Sequence, residues 1–483
     1  MPAEPGAQVG AGIVSTRNSV AANERSGVPA GDAMRLPVLD RRRAGVLLHL
    51  SALGPGALGA PARRFIDWIA DAGFSVWQML PVGPTGPDGS PYWLSSDSAG
   101  NEAFLDRGAL PAPHGPRWQD FLARNAGWLD DWALFVALRA QAGGAPWQDW
   151  PAPLRDREPA ALSRARAAHA PRLEAVRVAQ FAFDEQWRAL REHAAARGVR
   201  LFGDVPIYVA PDAFETWAHR EQFRLNAAGR PSLVAGVPPD YFAVDGQLWG
   251  NPLYDWDRMA RDGFAHWRRR MRRQFERFDL VRLDHFRGLE SHWAVPAGAA
   301  TARDGQWLPT PGAALLEAIR HDAPDLPVIA EDLGVITPEV EALRHRFRLP
   351  GMHVLQFGFD GNPVNPHLPH MHAPDGVVYT GTHDNDTLRG WLAGLDEGTR
   401  GQVEFYLRAP ASEVPTALHR AALGSVARLA VLPMQDLLEL GSEARFNTPG
   451  TTTGNWAWQM PGWALAPDRA EWFLRLNRIY GRA

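Results

Sequence analysis

The sequence predicts an α/β protein built on a (β/α)8 TIM barrel with inserted helical and loop subdomains. From residue 41 onward, short apolar runs alternate with helix-patterned stretches, which is the rhythm of βα units around a parallel sheet. Eight such runs are present, and several of them end in His, Asp or Glu. The length of 483 residues fits one large barrel with insertions. An active site is therefore expected at the carboxyl ends of the barrel strands.

The eight predicted strands are Gly45–His49, Ser75–Leu80, Leu201–Val205, Leu280–Asp284, Pro327–Glu331, Met352–Phe357, Val377–Thr382 and Leu429–Met434. About 120 residues separate the second strand from the third, and about 75 separate the third from the fourth. Stretches of this length predict insertions. The first, at about 107–198, has helical patterns at Trp118–Leu138 and Ala160–Ala196 and predicts a helical subdomain. The second, at about 210–262, contains Pro231–Tyr254, whose Gly, Pro and aromatic residues predict an ordered loop that covers the substrate.

The composition of the chain predicts where the barrel domain begins. Residues 1–36 are rich in Ala and Gly without apolar periodicity, so we expect a disordered leader. Met34, just before the first ordered-looking segment, is a candidate initiator. Residues 37–483 are then the catalytic barrel. Because no apolar run suits a signal peptide or a membrane span, we expect a cytoplasmic protein without membrane contact.

The composition excludes several classes of function. With 50 basic and 54 acidic residues, the net charge of −4 argues against a nucleic-acid partner. Within the basic run Arg268–Arg273, apolar residues at helical spacing predict an amphipathic helix with its arginines in solvent. The chain has neither cysteine nor lysine, which excludes thiolate metal sites, thiol nucleophiles, lysine Schiff bases and pyridoxal phosphate. Its 20 tryptophans suit either sugar stacking or core packing.

Two neighbouring strands end in carboxylates that can work as a pair. Arg282 and Asp284 lie on the same face of the fourth strand, where the cation is expected to keep the carboxylate ionised; a structural ion pair explains them equally well. Glu331 ends the apolar fifth strand, where desolvation is expected to raise its pKa, while Asp332 points away. An ionised Asp beside a protonatable Glu is the pair used in retaining glycoside cleavage.

The seventh strand ends in a concentration of polar residues, Thr380–Thr387. A metallohydrolase site is the competing interpretation, since His and Asp at strand ends also bind metals, and His367, His370 and His372 lie nearby in sequence. The first strand offers His49 without a second histidine two residues away, and Arg282 competes with a cation for Asp284. We therefore expect no metal and no other cofactor.

Several motifs, in order, resemble those of the 4-α-glucanotransferases, also called amylomaltases or disproportionating enzymes, of the α-amylase-like clan. The resemblance covers the chain from about residue 41 to its end. The motifs are Gly203–Val209, Gly236–Phe242, Gly246–Trp256, Arg282–Gly288, Ala330–Gly334, Gly381–Thr387, Asn447–Gly450 and Gly454–Trp456.

The resemblance implies a role for each matching residue. Asp284 would be the nucleophile, Glu331 the acid/base, and Asp384 the third carboxylate, chosen over Asp386 on the family pattern alone. Tyr241 and Phe242 would lie in a loop that closes over the glucan. Further substrate contacts would be Tyr92, Asp204, Gln247, Trp249, Arg282, His285 and His383.

The resemblance also implies the reaction, in which α-1,4-glucan segments pass from a donor to an acceptor glucan or glucose through a covalent glucosyl-Asp intermediate. The expected partners are α-1,4-glucans, maltooligosaccharides and glucose. The sequence departs from the family around Tyr92, where Trp93 follows the tyrosine, and at Ala243 and Asp245. Two alternatives stay open: an α-1,4-glucan hydrolase of the same clan, and a glucan-binding protein without catalysis.

Overall fold

The computed structural model describes residues 36–239 and 244–483. Almost all of the predicted leader, including Met34, lies outside the described residues, and so do Tyr241 and Phe242. In the part of the chain that is described, no helix is long and apolar enough to cross a membrane.

Eight parallel strands form the central sheet, which confirms the predicted barrel. In spatial order they are β10 (Gly351–Val354), β11 (Gly376–Tyr379), β12 (Leu429–Pro433), β1 (Arg43–Leu47), β2 (Val76–Gln78), β3 (Arg200–Val205), β6 (Leu280–Leu283) and β9 (Val328–Ala330). Each lies in one of the eight predicted runs or within two residues of it. The Ala330 N–H of β9 donates at 2.9 Å to the carbonyl of Pro350, which directly precedes β10. A backbone hydrogen bond therefore also spans the gap between β9 and β10, the two ends of this order.

The strands are continuous apolar runs because both of their faces are covered. Every residue of β1, β11 and β12 is buried, as expected for a parallel sheet wrapped by helices. At Gly203 in β3 a Cβ would lie 2.3 Å from the ring of Phe278, so only glycine lets that ring pack against the strand that carries Asp204.

Sixteen α-helices surround the barrel and build its first insertion within the described residues. They are α1 (Ala60–Asp71), α2 (Pro116–Asn125), α3 (Leu129–Gln141), α4 (Ala152–Arg155), α5 (Pro159–Ala168), α6 (Ala170–Ala196), α7 (Phe214–Ala218), α8 (Trp256–Arg261), α9 (Ala265–Arg277), α10 (Gly312–Asp322), α11 (Pro338–Arg346), α12 (Leu388–Gly394), α13 (Glu397–Leu407), α14 (Val414–Gly424), α15 (Met434–Leu437) and α16 (Pro467–Ile479). Each of the two predicted helical patterns is divided in two, at Ala126–Trp128, which includes Gly127, and at His169.

A second sheet, of four antiparallel strands, takes up part of the predicted covering loop. Its order is β5 (Gln247–Pro252), β4 (Leu233–Val237), β7 (Ser291–Pro296) and β8 (Gln306–Pro309). Two strands therefore form within Pro231–Tyr254, and two more follow β6 directly. Their short, half-exposed pattern, with Gly and Pro inside β4 and β5, carries little strand signal.

The basic run lies on α9, and the apolar face of that helix packs against the barrel as predicted. Trp267 and Met271 are buried there. The prediction that its arginines lie in solvent is wrong for Arg270, which is only 3% exposed. Its Nε lies 2.8 Å from the Asp97 carboxylate, and its Nη1 donates to the Ile207 carbonyl and the Tyr254 hydroxyl, both at 3.1 Å.

Arg482 lies where strands β1 and β12 begin, and it bonds to the main chain near the start of both strands. Its side chain is fully buried. It donates to the carbonyls of Arg43 and Leu423 at 2.8 and 2.6 Å, and to those of Ser425 and Ala427 at 2.9 and 3.0 Å. One guanidinium thus satisfies carbonyls on both sides of the β1–β12 pairing.

Candidate active site

Strand register places Asp284 beside Glu331. In the β6–β9 pair Leu283 is opposite Ala330, so the next residue of each strand is one of these carboxylates. The ladder continues past the strand ends, because the Asp284 N–H donates to the Val205 carbonyl and the Glu331 N–H to the Leu283 carbonyl. Neighbouring strands are about 4.8 Å apart, which is close to the separation of about 5 Å that a retaining glycosidase pair requires.

The chain turns sharply immediately after Asp284. His285 has a φ of 49°, in the left-handed region that non-glycine residues adopt at some energetic cost. This conformation directs the His285 N–H to the Glu331 Oε2 at 2.7 Å, while the Leu333 N–H donates to Oε1 at 2.9 Å. Both carboxylate oxygens of Glu331 are therefore fixed by backbone groups.

Arg282 divides its guanidinium between two carboxylates. Its Nη2 lies 2.8 Å from the Asp284 Oδ1, and its Nη1 lies 2.7 Å from the Asp204 Oδ2 on the adjacent strand. The Tyr92 hydroxyl donates to the same Asp204 oxygen at 2.7 Å and accepts from Arg282 at 3.2 Å. The Asp204 side chain is fully buried, so in this structure it reaches the site only through Tyr92 and Arg282.

The pKa values of the central pair are both raised. Burial raises the pKa of Asp284 to about 8; Arg282 acts against this, while the Asp204, Glu331 and Asp384 carboxylates add to it. Burial also raises the pKa of Glu331, against Arg282 and the two backbone N–H donors. The pKa of Glu331 is therefore raised, as expected. The expectation that Arg282 alone keeps Asp284 ionised is wrong, because desolvation and the neighbouring carboxylates outweigh one shared cation.

Asp384 faces the same centre from the loop after β11. Its Oδ1 accepts from the Asn447 Nδ2 at 2.7 Å and lies 3.3 Å from the His383 Nε2, and Arg445 donates to its carbonyl at 2.6 Å. Its side chain is 44% exposed, in contrast to the buried Glu331.

Asp386, two residues further on, is held away by local contacts. It accepts from the Ser442 hydroxyl at 2.7 Å and from the Thr387 N–H at 2.7 Å. The contacts thus distinguish Asp384, which faces the site, from Asp386, which does not. The alternation of side chains along a strand cannot distinguish them, because they are two residues apart.

Aromatic rings border the carboxylates on two sides. Tyr92 stacks on His383 with ring centroids 5.1 Å apart, and Trp456 lies about 6 Å from both of these rings. On the other side Trp249 meets His285 edge to face at 4.7 Å and donates to the Gln247 Oε1 at 3.1 Å. The structure therefore brings all ten predicted site residues to one end of the barrel.

The two histidines of the site are neutral near pH 7. Burial lowers the pKa of His285 to about 3 and lowers that of His383 as well. They can act as hydrogen-bonding groups and flat walls without adding positive charge.

Other polar residues from the sequence motifs have structural contacts. Asp332 turns away from the site as predicted; it accepts from the Met352 N–H at 2.7 Å and pairs with Arg344 at 3.1 Å. His372 bonds to the Ser425 hydroxyl and the His367 carbonyl. Across the described residues, no group of three or more His, Asp or Glu side chains is arranged to hold a metal ion.

Sequence reasoning assigned no role to Arg445, Asn447 or Trp456, which complete the surroundings of Asp384. Asn447 and Trp456 lie in motifs that carry the resemblance, and this was the available signal. Trp456 has a φ of 62°, a conformation that is uncommon for so large a residue.

Comparison with known proteins agrees with this geometry. The chain matches the family profile of glycoside hydrolase family 77, 4-alpha-glucanotransferase, over residues 48–115 and 109–465. It is 45% identical to the 4-alpha-glucanotransferase of Thermus thermophilus, with 90% of this chain and 97% of the relative covered, and 41% identical to that of Synechocystis, with 92% and 99% covered.

Among solved structures it resembles the amylomaltase of Streptococcus agalactiae in complex with acarbose, with a TM-score of 0.85 and 32% identity over 92% of this chain and all of that one. The amylomaltase of Corynebacterium glutamicum shares the fold, with a TM-score of 0.69 at 19% identity over 92% of this chain and 76% of that one. This chain belongs to the 4-alpha-glucanotransferase family, whose members are enzymes.

Proposed function

We propose that the protein transfers α-1,4-glucan segments by a retaining double displacement, with Asp284 as nucleophile, Glu331 as acid/base and Asp384 as the residue that holds the reacting sugar. The observation that carries the proposal is the placement of Asp284 and Glu331 at paired positions of neighbouring strands, one on a guanidinium and the other on two backbone amides. Donors and acceptors would be maltooligosaccharides and longer α-1,4-glucans, with glucose as a further acceptor. The acarbose complex of the Streptococcus agalactiae relative supports a sugar site here.

The first displacement uses one proton that the two carboxyls share. Because interacting carboxyls titrate as a pair, the pair with one proton includes the form with Glu331 protonated and Asp284 ionised, and the Arg282 contact stabilises this form. An Asp284 oxygen bonds to the anomeric carbon while the glycosidic bond breaks. The Glu331 proton passes to the departing oxygen, which leaves a glucosyl ester on Asp284.

The second displacement returns the proton and completes the transfer. The 4-hydroxyl of an acceptor glucan gives its proton to Glu331 and bonds to the anomeric carbon, while the ester to Asp284 breaks. Asp384, held by Asn447 and exposed on one side, can accept hydrogen bonds from sugar hydroxyls during both steps. Transfer exceeds hydrolysis when the acceptor site binds sugar and excludes water.

Incubation with maltotriose tests the proposal. Transfer gives free glucose and a ladder of longer maltodextrins with little net gain of reducing ends, and a chelator leaves the rate unchanged. Accumulation of glucose and maltose without a ladder would make the protein a hydrolase. Absence of any product would favour a binding protein, and loss of activity with chelator would favour metal chemistry.

A further inference from the structure

The buried side chain of Arg287 contacts three elements at the barrel mouth. Arg287 lies three residues after Asp284, in the 3-10 turn Phe286–Leu289, and is 8% exposed. Its guanidinium carbon is 3.9 Å from the centroid of the Trp307 ring in β8. Its Nη1 donates to the carbonyl of Val335, four residues after Glu331. One cation in the segment after Asp284 therefore contacts the segment after Glu331 and an edge strand of the antiparallel sheet.

The antiparallel sheet meets the catalytic loops at two points. At one of them, Trp307 packs edge to face against Trp293 with ring centroids 5.2 Å apart, and the Trp293 indole donates to the Ala302 carbonyl at 2.8 Å. At the opposite edge of the sheet, Trp249 of β5 meets His285 at 4.7 Å. His285, at the start of this turn, and Arg287, within it, thus contact the two edges of the sheet.

We propose that Arg287 is a positioning residue that holds the antiparallel sheet against the loops after Asp284 and Glu331, and that this contact sets how the glucosyl-enzyme divides between a glucan acceptor and water. The inference rests on the proposed transfer function. A planar guanidinium can stack on an indole and bond to a carbonyl in its own plane at the same time, which a lysine ammonium cannot do. Loosening the contact opens a path for water to the intermediate.

The test is the product partition of Arg287→Lys and Trp307→Leu with maltotriose, measured as glucan ladder against new reducing ends. We expect the hydrolysed share to rise at least fivefold in each variant, with kcat for transfer falling more than KM for the donor rises. Arg157→Lys is the matched control, because Arg157 also lies over an indole, that of Trp217 at 4.2 Å, in the helical insertion. Its partition should equal that of the parent protein.

A double variant shows whether Arg287 and Trp307 affect the product partition through one shared contact. If the two residues act through one contact, Arg287→Lys with Trp307→Leu partitions like either single variant, and multiplied effects would overturn the proposal. Parental partition in both single variants, with only a lower melting temperature, would also overturn it. Trp307, which is 37% exposed, carries the test if Arg287→Lys does not fold.

An activated donor separates this proposal from the transfer function itself. If the parent protein makes no ladder, the transfer function fails. The positioning role is then judged by release of nitrophenol from a nitrophenyl α-maltooligosaccharide. Because a looser contact admits water, it requires at least a fivefold faster steady-state release in Arg287→Lys but not in Arg157→Lys, and equal rates would refute it.

Discussion

At the scale of single residues, Arg282 is the group on which the electrostatics of the site depend. Among residues 36–239 and 244–483 it is the one cation paired with Asp284, and it is bonded just as closely to the buried carboxylate of Asp204. The charge available to Asp284 therefore depends on a residue that itself does not reach the site surface. Burial raises the pKa of Asp284 although an arginine lies 2.8 Å away, and the Asp204 carboxylate that shares this arginine raises it further.

Replacing Asp204 by asparagine should move the acidic limb of the pH profile. The change removes a carboxylate that raises the pKa of Asp284 and leaves more of the Arg282 charge to it, so Asp284 becomes ionised at lower pH. The acidic limb of kcat/KM, which reports the ionisation of the nucleophile, should shift to lower pH. Asp386→Asn is the control, and both of its limbs should stay in place. A shift to higher pH in Asp204→Asn would contradict this electrostatic account.

Neutralising either member of the catalytic pair should remove most of the activity. Asp284→Asn and Glu331→Gln are each expected to lower kcat by about 10²–10⁴ or more. Only Glu331→Gln should recover part of its rate on a donor with a good leaving group, which needs no proton. Asp332→Asn, next to Glu331 but bonded to Arg344 and Met352, should keep its kcat within about tenfold. Folded Asp284→Asn with more than about a hundredth of the activity would refute the assignment.

The site residues that can be predicted without the family resemblance are those that end apolar strands, because the strand end itself locates them. Asp284 and Glu331 belong to this group. Arg445 and Asn447 follow β12 by about a dozen residues, beyond the short helix α15 and a 3-10 turn at Ser442–Ala444. Their link to Asp384 is a tertiary contact that spacing in one sequence does not encode.

At the scale of elements, α9 combines an apolar face with one buried ion pair. Arg270 has the same residue type as its exposed neighbours, but it contacts Asp97, which lies in the loop after β2. The Asp97 main chain in turn donates to the buried Glu215 of α7 at 3.1 Å. Through Arg270, the helix therefore contacts the loop after β2, and the Asp97 of that loop in turn contacts α7.

Removing Arg270 should destabilise the protein far more than removing an exposed arginine of the same helix. Arg270→Met leaves the buried Asp97 carboxylate unpaired, which is expected to cost about 3–5 kcal/mol. Arg272→Met breaks only an exposed pair with Asp322, worth about 0–1 kcal/mol. Urea unfolding of both variants measures the difference. Equal losses would mean that Arg270 is as dispensable as a surface arginine.

The second sheet shows where pattern reading fails for whole elements. Parallel barrel strands are apolar on both faces and stand out, whereas β5 is exposed at Gln247 and buried only at its far end. Its partner β4 contains a glycine and pairs with it through an irregular register. The same stretch is nevertheless recognisable as ordered, because Gly, Pro and aromatic residues together are typical of a packed covering segment.

At the scale of the whole molecule, one buried side chain supports the pairing of β1 with β12. Arg482 bonds to carbonyls at the start of β1 and just before β12, and its side chain is fully buried there. Buried carbonyls without a partner are costly, so this guanidinium contributes to the pairing of the two strands.

Replacing Arg482 by methionine should lower the stability of the whole barrel by about 3 kcal/mol or more, because it leaves several buried carbonyls without donors. The melting temperature should fall by several degrees, while the product pattern of the folded enzyme should not change. Arg478→Met, on the exposed side of α16, is the control. An unchanged melting temperature in Arg482→Met would show that the carbonyls find other partners.

The pairing of β1 with β12 joins segments that are made far apart in time during synthesis. Arg43 and Arg482 are 439 positions apart, and β12, the second neighbour of β1, lies at the other end of the same long stretch of chain. At about 5–20 residues per second, roughly 20 to 90 s pass between the synthesis of the two segments on the ribosome. For all of that time one edge of the nascent sheet has no strand to pair with, and open edges of this kind recruit other chains. A barrel that is still open at this edge is exposed to such pairing, so the yield of soluble protein is expected to rise when chaperones that bind nascent chains are co-expressed.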